Sequence, residues 1–217
     1  MEEKPLQTTD EFGFDLKTSY DALFVLFGTS NQGKTSTLFR LIYLLGRKSK
    51  NVDTKSVSAF IKQHEKVDLS TGRLFYSDVR IVIPYQGKQI AIATFGDYRE
   101  VCETNMSFFR RKEVPFFFYD GIDFVSSDDE NLTKQQKVKL KKVKPTIFIS
   151  ACRTEGGAVD AMEYCSHFYL KQIARIIWIR KKGKNPEPTK VRVSPHDKKY
   201  ANDLIDAING IIKGKTI

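Results

Sequence analysis

Cysteine and histidine are scarce in this chain of 217 residues, which contains three of each. Cys102, Cys152 and Cys165 form no C-x-x-C pair and are odd in number, so we expect reduced thiols rather than a disulfide framework. None of the histidines has the spacing to a cysteine that a structural zinc site requires. A dedicated transition-metal centre is therefore not expected.

Long apolar runs are also missing. No stretch approaches the roughly 20 apolar residues that a membrane-spanning helix needs. The first residues, Met1-Glu-Glu-Lys4, lack the basic start and apolar core of a secretory signal. The composition, 41% hydrophobic and 29% charged, is typical of soluble globular proteins. We expect a cytoplasmic protein without a membrane partner.

Acidic residues are outnumbered by basic ones, and the net charge is +10. Part of the excess is local: residues 134–144 contain six lysines, and residues 180–184 contain four cations. A basic segment can bind nucleic acid, but aromatic residues do not alternate with these lysines as single-strand binding favours. Nucleic-acid binding and a solvated basic surface both remain open.

One motif is complete. Residues 28–35 read GTSNQGKT and fit the pattern G-x-x-x-x-G-K-[ST]. An apolar run, residues 23–27, precedes the motif, and residues 37–45 follow it with helical periodicity. A strand, a glycine-rich loop and a helix in this order predict a phosphate-binding loop.

Each position of the motif has a physical reason. Gly28 and Gly33 allow backbone conformations and close approach that a Cβ would oppose. Lys34 supplies an ammonium for the β and γ phosphates, and the Thr35 hydroxyl can ligate Mg²⁺. The following helix directs its unpaired N–H groups toward the same anion. The residues predicted to bind nucleotide are Gly28, Thr29, Ser30, Asn31, Gln32, Gly33, Lys34, Thr35 and Ser36.

A phosphate-binding loop usually needs an acidic partner at a neighbouring strand end. Two candidates compete, Asp97 after the apolar residues 90–95 and Asp120 after the apolar residues 114–119. We favour Asp97, because its strand follows the first helix and a hairpin and precedes a helix, as a strand beside the loop would. With Thr35, both aspartates are candidate magnesium ligands, and either could instead be a turn residue.

Arg153 is a third candidate for the chemistry. It follows a buried strand, and Gly156 and Gly157 separate it from the next helix. Its planar guanidinium could bind the γ phosphate or an acceptor phosphate. Pairing with an acidic surface residue is an equal alternative.

Periodicity and turn signals predict an α/β protein with a three-layer α/β/α arrangement and a mainly parallel sheet that carries one antiparallel hairpin. Ligand should bind at the carboxyl ends of the strands. We expect a single domain over residues 1–217, with a lead-in at 1–20 and an insertion at 120–144. The predicted strands are 22–27, 78–84, 88–95, 114–119, 146–151, 174–180 and 190–193. The predicted helices are 33–45, ending at Gly46, then 56–67, 98–112, 157–172 and one from Pro195.

The loop resembles that of the P-loop NTPase superfamily, and residues 28–38 are similar to the first motif of Era-like GTPases. The segment Ala93-Thr-Phe-Gly96 is similar to the D-T-P-G of that family, with Ala93 at the position of its metal-associated Asp. The guanine-binding N-K-x-D corresponds to Ala151-Cys-Arg-Thr154, which lacks that Asp. The resemblance implies a P-loop NTPase domain that takes ATP rather than GTP.

These observations predict Mg²⁺-dependent binding and hydrolysis of a nucleoside triphosphate, with Lys34, Asp97 and Arg153 as catalytic residues. One alternative is a kinase that transfers the γ phosphate of ATP to a nucleotide or polynucleotide, with residues 134–144 as a lid. Another is a GTPase-like switch or a nucleic-acid-associated module, in which nucleotide orders residues 47–72 and Gly96.

Overall fold

The structure, a computed structural model, describes residues 21–110, 145–168, 175–181 and 195–214, apart from Asn31, Asn51, Thr71, Arg73 and Gly156. Several predictions lie outside these residues. They are the lead-in at 1–20, the strand at 114–119, the insertion at 120–144 with Asp120, and the strand at 190–193.

The described residues form seven strands and five helices. The strands are β1 (Ala22–Gly28), β2 (Glu65–Val67), β3 (Leu74–Tyr76), β4 (Arg80–Tyr85), β5 (Lys88–Ala93), β6 (Ile147–Arg153) and β7 (Ile176–Arg180). The helices are α1 (Lys34–Lys48), α2 (Thr54–His64), α3 (Arg99–Arg110), α4 (Ala158–Phe168) and α5 (Pro195–Ile212).

Five strands form one sheet in the order β4-β5-β6-β1-β7. The pairs β5–β6, β6–β1 and β1–β7 are parallel, and β4–β5 is antiparallel. Strands β2 and β3 form a separate antiparallel pair. The fold is therefore α/β with a mainly parallel sheet, as the alternation of predicted strands and helices indicated.

Strand β1 shows how the sheet is covered on both faces. Its side chains alternate: Phe24 and Leu26 belong to the core that includes α1 and α5, whereas Leu23 and Val25 belong to the core beside α3 and α4. All four are completely buried. Such a continuous apolar strand, buried on both faces, is typical of parallel sheets.

The tight turn between β4 and β5 confirms the predicted hairpin. Gln86 and Gly87 both have positive φ, 48° and 79°, as a two-residue turn of type I′ requires. Because β4 is antiparallel to β5, the first residues of β4 lie at the edge of the sheet where β5 ends.

The structure corrects two predicted boundaries. Helix α1 does not end at Gly46 but continues to Lys48, because Gly46 serves as a contact with α2. A Cβ at Gly46 would lie 2.6 Å from Cγ2 of Val57. Residues 65–67, predicted as helix, are β2, and this change is stabilised where Ser77 N donates to His64 O at 2.9 Å.

No helix among the described ranges is long and apolar enough to cross a membrane.

Candidate functional site

The glycine-rich loop, residues 28–35, lies at the carboxyl edge of the parallel strands. Strand β1 leads into it, and α1 begins at Lys34. Gly28 pairs in register with Arg153 at the end of β6. The edge therefore gathers the loop, the end of β6 and the segment after β5.

The N-cap residue of α1 provides no side-chain cap for the first N–H groups of the helix. Gly33 occupies the N-cap position with φ 73°, makes no side-chain cap, and its carbonyl accepts from Thr37 N at 2.9 Å. A helix N-terminus carries partial positive charge and unpaired donors. The first turn contains no acidic residue to neutralise it. This end of α1 is suited to an anion.

Gly28 is required by close packing on two sides. A Cβ at this position would lie 2.2 Å from Oε1 of Gln32 and 3.0 Å from the carbonyl oxygen of Lys181, just after β7. Oε1 of Gln32 is buried and has no hydrogen-bond partner in the described structure. The loop is thus closed against β7, with the Gln32 amide folded inside it.

Lys34 is the buried cation of the loop. Its Nζ donates to the carbonyl oxygens of Gly28 and Thr29, both at 2.9 Å. Burial lowers the pKa of the Lys34 ammonium, and the carboxylate of Asp97 acts against this effect. The ammonium therefore lies over the loop backbone, where a bound anion would offer stronger acceptors than these carbonyls.

Thr35 connects the loop to the segment after β5. Its Oγ1 donates to the carbonyl oxygen of Thr94 at 3.1 Å. Thr94 is itself buried and is hydrogen-bonded to Val79, the residue before β4. Val79 N donates to Thr94 Oγ1 at 2.9 Å, and Thr94 N donates to Val79 O at 3.0 Å. The Thr35 hydroxyl is thereby fixed at the edge where β5 ends.

Asp97 lies in the segment that follows β5 and continues beside β6. Gly96 allows the close approach of this segment to β6, because a Cβ there would lie 2.0 Å from the carbonyl oxygen of Ala151. Gly96 O accepts from Arg153 N at 2.7 Å. Among the charged groups that act on Lys34, the exposed carboxylate of Asp97 has the largest effect on its pKa. The structure thus brings Asp97 to the loop.

The expectation that the strand before Asp97 lies beside β1 is wrong, since β6 is inserted between β5 and β1. Two strand spacings of about 4.8 Å each then separate β5 from the strand that leads into the loop. Asp97 therefore acts on the charge of Lys34 from a segment that is separated from β1 by β6.

Arg153 ends β6 beside the loop. Its Nη2 lies 3.7 Å from Oε2 of the exposed Glu155, and its Nε is buried without a hydrogen-bond partner in the described structure. The Arg153 guanidinium also lowers the pKa of Lys34, which places this charge near the ammonium. Of the two predicted roles, the pairing with an acidic surface residue has a contact in the structure, and phosphate binding stays a prediction.

Asp78 is a residue of this edge that the sequence interpretation placed in a strand. Partial burial and the neighbouring Asp97 carboxylate together raise its pKa to about 6, against the opposite effect of Arg80. The predicted hairpin could already have indicated that Asp78 lies at this edge. Because the first strand of a hairpin runs against the second, its start lies at the edge where the second ends.

The side-chain oxygens at this edge that could ligate a metal ion include those of the Thr35 hydroxyl and of the Asp97 and Asp78 carboxylates. Oxygen ligands fit Mg²⁺, which keeps several waters and needs few protein ligands. The described residues contain no group of three or more His, Cys, Asp or Glu side chains that could hold a metal. Asn31 and Asp120 lie outside the described residues.

No protein-family model, no curated protein and no solved structure matched the chain in the three comparisons made.

Proposed function

We propose that this protein binds a nucleoside triphosphate, ATP, with Mg²⁺ in a P-loop NTPase fold, and hydrolyses the γ phosphate. The supporting observation is the convergence of the Lys34 ammonium and the uncapped N-terminus of α1 on one glycine-rich loop. Two positive groups at one backbone segment provide the electrostatics that a polyphosphate needs.

In the proposed reaction the loop binds the phosphates through its backbone N–H groups. Lys34 exchanges its two carbonyl acceptors for phosphate oxygens, and the partial burial that lowers its pKa makes this ion pairing stronger than at the surface. Arg153 provides further positive charge from the end of β6. These groups stabilise the charge that spreads over the γ oxygens during transfer.

Thr35 and Asp97 would hold the cation. The Thr35 hydroxyl is fixed by Thr94 O, and Asp97 faces the loop from across β6. A bound Mg²⁺ neutralises charge on the β and γ oxygens. Asp97 and the Thr35 hydroxyl are the residues that would hold the cation.

The base is proposed to be adenine. The end of β6, where an Era-like GTPase has its guanine-binding motif, reads Ala151-Cys-Arg-Thr154 here. No carboxylate in this segment is placed to accept from the guanine amide and amino groups. Equal calorimetric affinity for Mg²⁺–GTP and Mg²⁺–ATP would contradict the assignment.

The test of the proposed function is Lys34→Ala, with Lys62→Ala as the matched control on the exposed surface of α2. Wild type and Lys62→Ala should bind a non-hydrolysable ATP analogue in titration calorimetry and release phosphate from ATP. Lys34→Ala should do neither, while keeping the wild-type circular dichroism spectrum. Analogue binding by Lys34→Ala at wild-type affinity would refute the site.

The fate of the γ phosphate separates hydrolysis from the kinase alternative. With γ-labelled ATP, the proposal expects inorganic phosphate as the labelled product. If the label instead appears in added nucleosides, nucleotides or 5′-hydroxyl ends, the reaction at this loop is phosphotransfer and not hydrolysis.

A further inference from the structure

Asn105 is a buried amide within an apolar layer. It lies on α3 with its side chain completely shielded from solvent, and Cys102 and Met106 of the same helix are buried in the core beside the sheet. Burying an amide costs free energy unless its polar atoms are hydrogen-bonded, and an apolar side chain would serve packing equally well. The reason for an asparagine at this position therefore lies in its hydrogen bonds.

The Asn105 amide makes three hydrogen bonds whose partners fix its orientation. Its Nδ2 donates to Phe95 O at 2.6 Å and to Ser150 Oγ at 3.3 Å. Its Oδ1 accepts from Arg80 Nε at 2.9 Å. A carbonyl oxygen can only accept and a guanidinium N–H can only donate, so the amide nitrogen must face Phe95 and the amide oxygen must face Arg80. Asn105 therefore connects α3 to β4, to β6 and to the segment after β5.

Three successive carbonyl oxygens in the segment after β5 accept hydrogen bonds, each from a different element. The pairs are Thr94 O with Thr35 Oγ1 of α1 at 3.1 Å, Phe95 O with Asn105 Nδ2 of α3 at 2.6 Å, and Gly96 O with Arg153 N of β6 at 2.7 Å. The next residue is Asp97, whose exposed carboxylate acts on Lys34. The backbone that leads to Asp97 is therefore held by three elements at once.

Of these three donors, Asn105 is the one whose side chain lies apart from the glycine-rich loop. Thr35 belongs to that loop, and Arg153 donates through its backbone N–H, which a side-chain substitution does not remove. The Phe95 carbonyl is part of the planar peptide unit that joins Phe95 to Gly96, so a rotation of this carbonyl turns the whole unit. The hydrogen bond from Asn105 therefore sets the direction in which the backbone continues to Asp97.

We propose that Asn105 is a positioning residue for the magnesium site: its hydrogen bond to Phe95 O holds the backbone so that the Asp97 carboxylate and the Thr35 hydroxyl face one cation. The inference rests on the proposed function. In this role Asn105 contacts neither the cation nor the nucleotide, and acts through the segment after β5. Hydrogen-bond partners that orient metal-binding residues commonly tune metal affinity in this way.

Three variants separate positioning from packing. Asn105→Asp keeps an oxygen acceptor for Arg80 and removes the donor to Phe95 O, and Asn105→Ala removes all three hydrogen bonds. Ser150→Ala is the matched control, because it removes another hydrogen bond of the same buried amide and leaves the one to Phe95 O. Three quantities are measured: the urea midpoint, the affinity for a non-hydrolysable ATP analogue without metal, and the Mn²⁺ affinity of the analogue complex by electron paramagnetic resonance.

Asn105→Asp and Asn105→Ala should weaken Mn²⁺ binding by the analogue complex about 10-fold or more. Their affinity for the analogue without metal should stay close to that of wild type, because the loop itself is intact. Ser150→Ala should keep the wild-type Mn²⁺ affinity even where its urea midpoint falls. A loss of stability alone would not change the metal affinity of the molecules that remain folded.

A measurement on the wild type does not depend on whether the variants fold. In NMR spectra of nitrogen-labelled protein, the side-chain amide signal of Asn105 should shift when Mg²⁺ is added to the analogue complex, because its acceptor Phe95 O belongs to the segment that leads to Asp97. The side-chain amide of Asn209 on α5, whose Oδ1 accepts from Tyr85 at 2.9 Å, is the reference and should not shift.

Two results would overturn the role of Asn105 alone: wild-type Mn²⁺ affinity in folded Asn105→Asp, or an Asn105 amide signal that Mg²⁺ leaves unchanged. Equal losses of Mn²⁺ affinity in Ser150→Ala and Asn105→Asp would assign the effect to the packing of α3 instead. Failure of the wild type to bind the analogue would refute the proposed function itself. Binding of the analogue without Mn²⁺ by the wild type would refute both the magnesium site and the role of Asn105.

Discussion

Lys181 and Asp197 form an ion pair whose side chains are almost completely shielded from solvent, with exposed fractions of 0% and 4%. Thr37 Oγ1 donates to the same carboxylate oxygen at 3.3 Å, and Lys181 N donates to Phe27 O at 2.7 Å. The Lys181 ammonium also lies 4.6 Å from the centre of the Tyr200 ring. The pair joins the end of β7 to α5 and to α1, the helix that follows the glycine-rich loop.

Removing one partner of this pair should destabilise the fold strongly. Lys181→Met leaves a buried carboxylate without its cation, and Asp197→Leu leaves a buried ammonium, so each should cost about 3–5 kcal/mol. The double variant should recover most of this loss, since a buried pair can be replaced by apolar side chains at little cost. Urea unfolding gives the free energies.

The exposed pair Arg99–Glu103 on α3 serves as the control. The two side chains are 61% and 47% exposed, and Glu103→Gln should change the urea midpoint little, because solvent screens such pairs. If Lys181→Met shifted the midpoint no more than Glu103→Gln, burial would not be what makes the Lys181–Asp197 pair matter.

Gly96→Ala should disturb the close approach between β6 and the segment that follows β5. The added Cβ would meet backbone, 2.0 Å from the oxygen and 2.8 Å from the carbon of the Ala151 carbonyl group. The two segments must separate, and we expect a cost of about 1–3 kcal/mol, as for overpacked cores. Because Asp97 follows directly, phosphate release should slow as well.

Gly72→Ala is the matched control for that substitution. Gly72 has φ 67° and no atom within 4 Å of its hypothetical Cβ, so the cost is left-handed strain alone, about 1 kcal/mol. Its phosphate release should be unchanged. A Gly96→Ala protein as active as Gly72→Ala would show that the close approach at Gly96 does not position Asp97.

Local features of the fold could be predicted from the sequence. The hairpin turn depends on Gln86 and Gly87 alone, and both have the positive φ of the expected turn. The start of α1 depends on Gly33 and the periodic residues after it. In each case the determining residues are neighbours in the chain, so that a short window contains the information.

The order of strands could not be predicted, because it is decided by contacts between distant residues. Strand β6 begins at Ile147, yet it pairs with Ala22 on one side and Ile90 on the other. Nothing within any one of these segments specifies that it separates the other two. The place of Asp78 at this edge was missed for the same reason, since it depends on which edge the hairpin returns to.

Arg153 offers a prediction that separates its two proposed contacts. If the guanidinium binds phosphate, Arg153→Ala should slow single-turnover phosphate release about 100-fold, and Arg153→Lys should recover little, because lysine lacks the planar fork. Glu155→Gln removes the surface partner at 3.7 Å and should leave the rate unchanged. Equal losses in Arg153→Ala and Glu155→Gln would assign Arg153 to the ion pair instead.

The two aspartates Asp78 and Asp53 should affect stability with opposite dependence on pH. Folding raises the pKa of Asp78 from its ordinary value of 3.8 to about 6. The folded state therefore binds more protons between these values, and stability falls as the pH rises through this window. Asp78→Asn removes the effect. Its urea midpoint should exceed that of wild type at about pH 7.5 and approach it near pH 4.

Asp53 should give a pH dependence of stability opposite to that of Asp78. It is the N-cap of α2, and hydrogen bonds from the backbone N–H groups of Ser56 and Lys55 lower its pKa. The Asp53 carboxylate stabilises the fold at pH values above the ordinary pKa of an aspartate. This stabilisation is lost as the pH falls through the lowered pKa of the folded state. Asp53→Ala should therefore unfold at lower urea than wild type at about pH 7.5, with the difference shrinking in acid. If both variants shifted the midpoint in the same direction at neutral pH, the Asp78 carboxylate would not be destabilised by its partial burial and by Asp97.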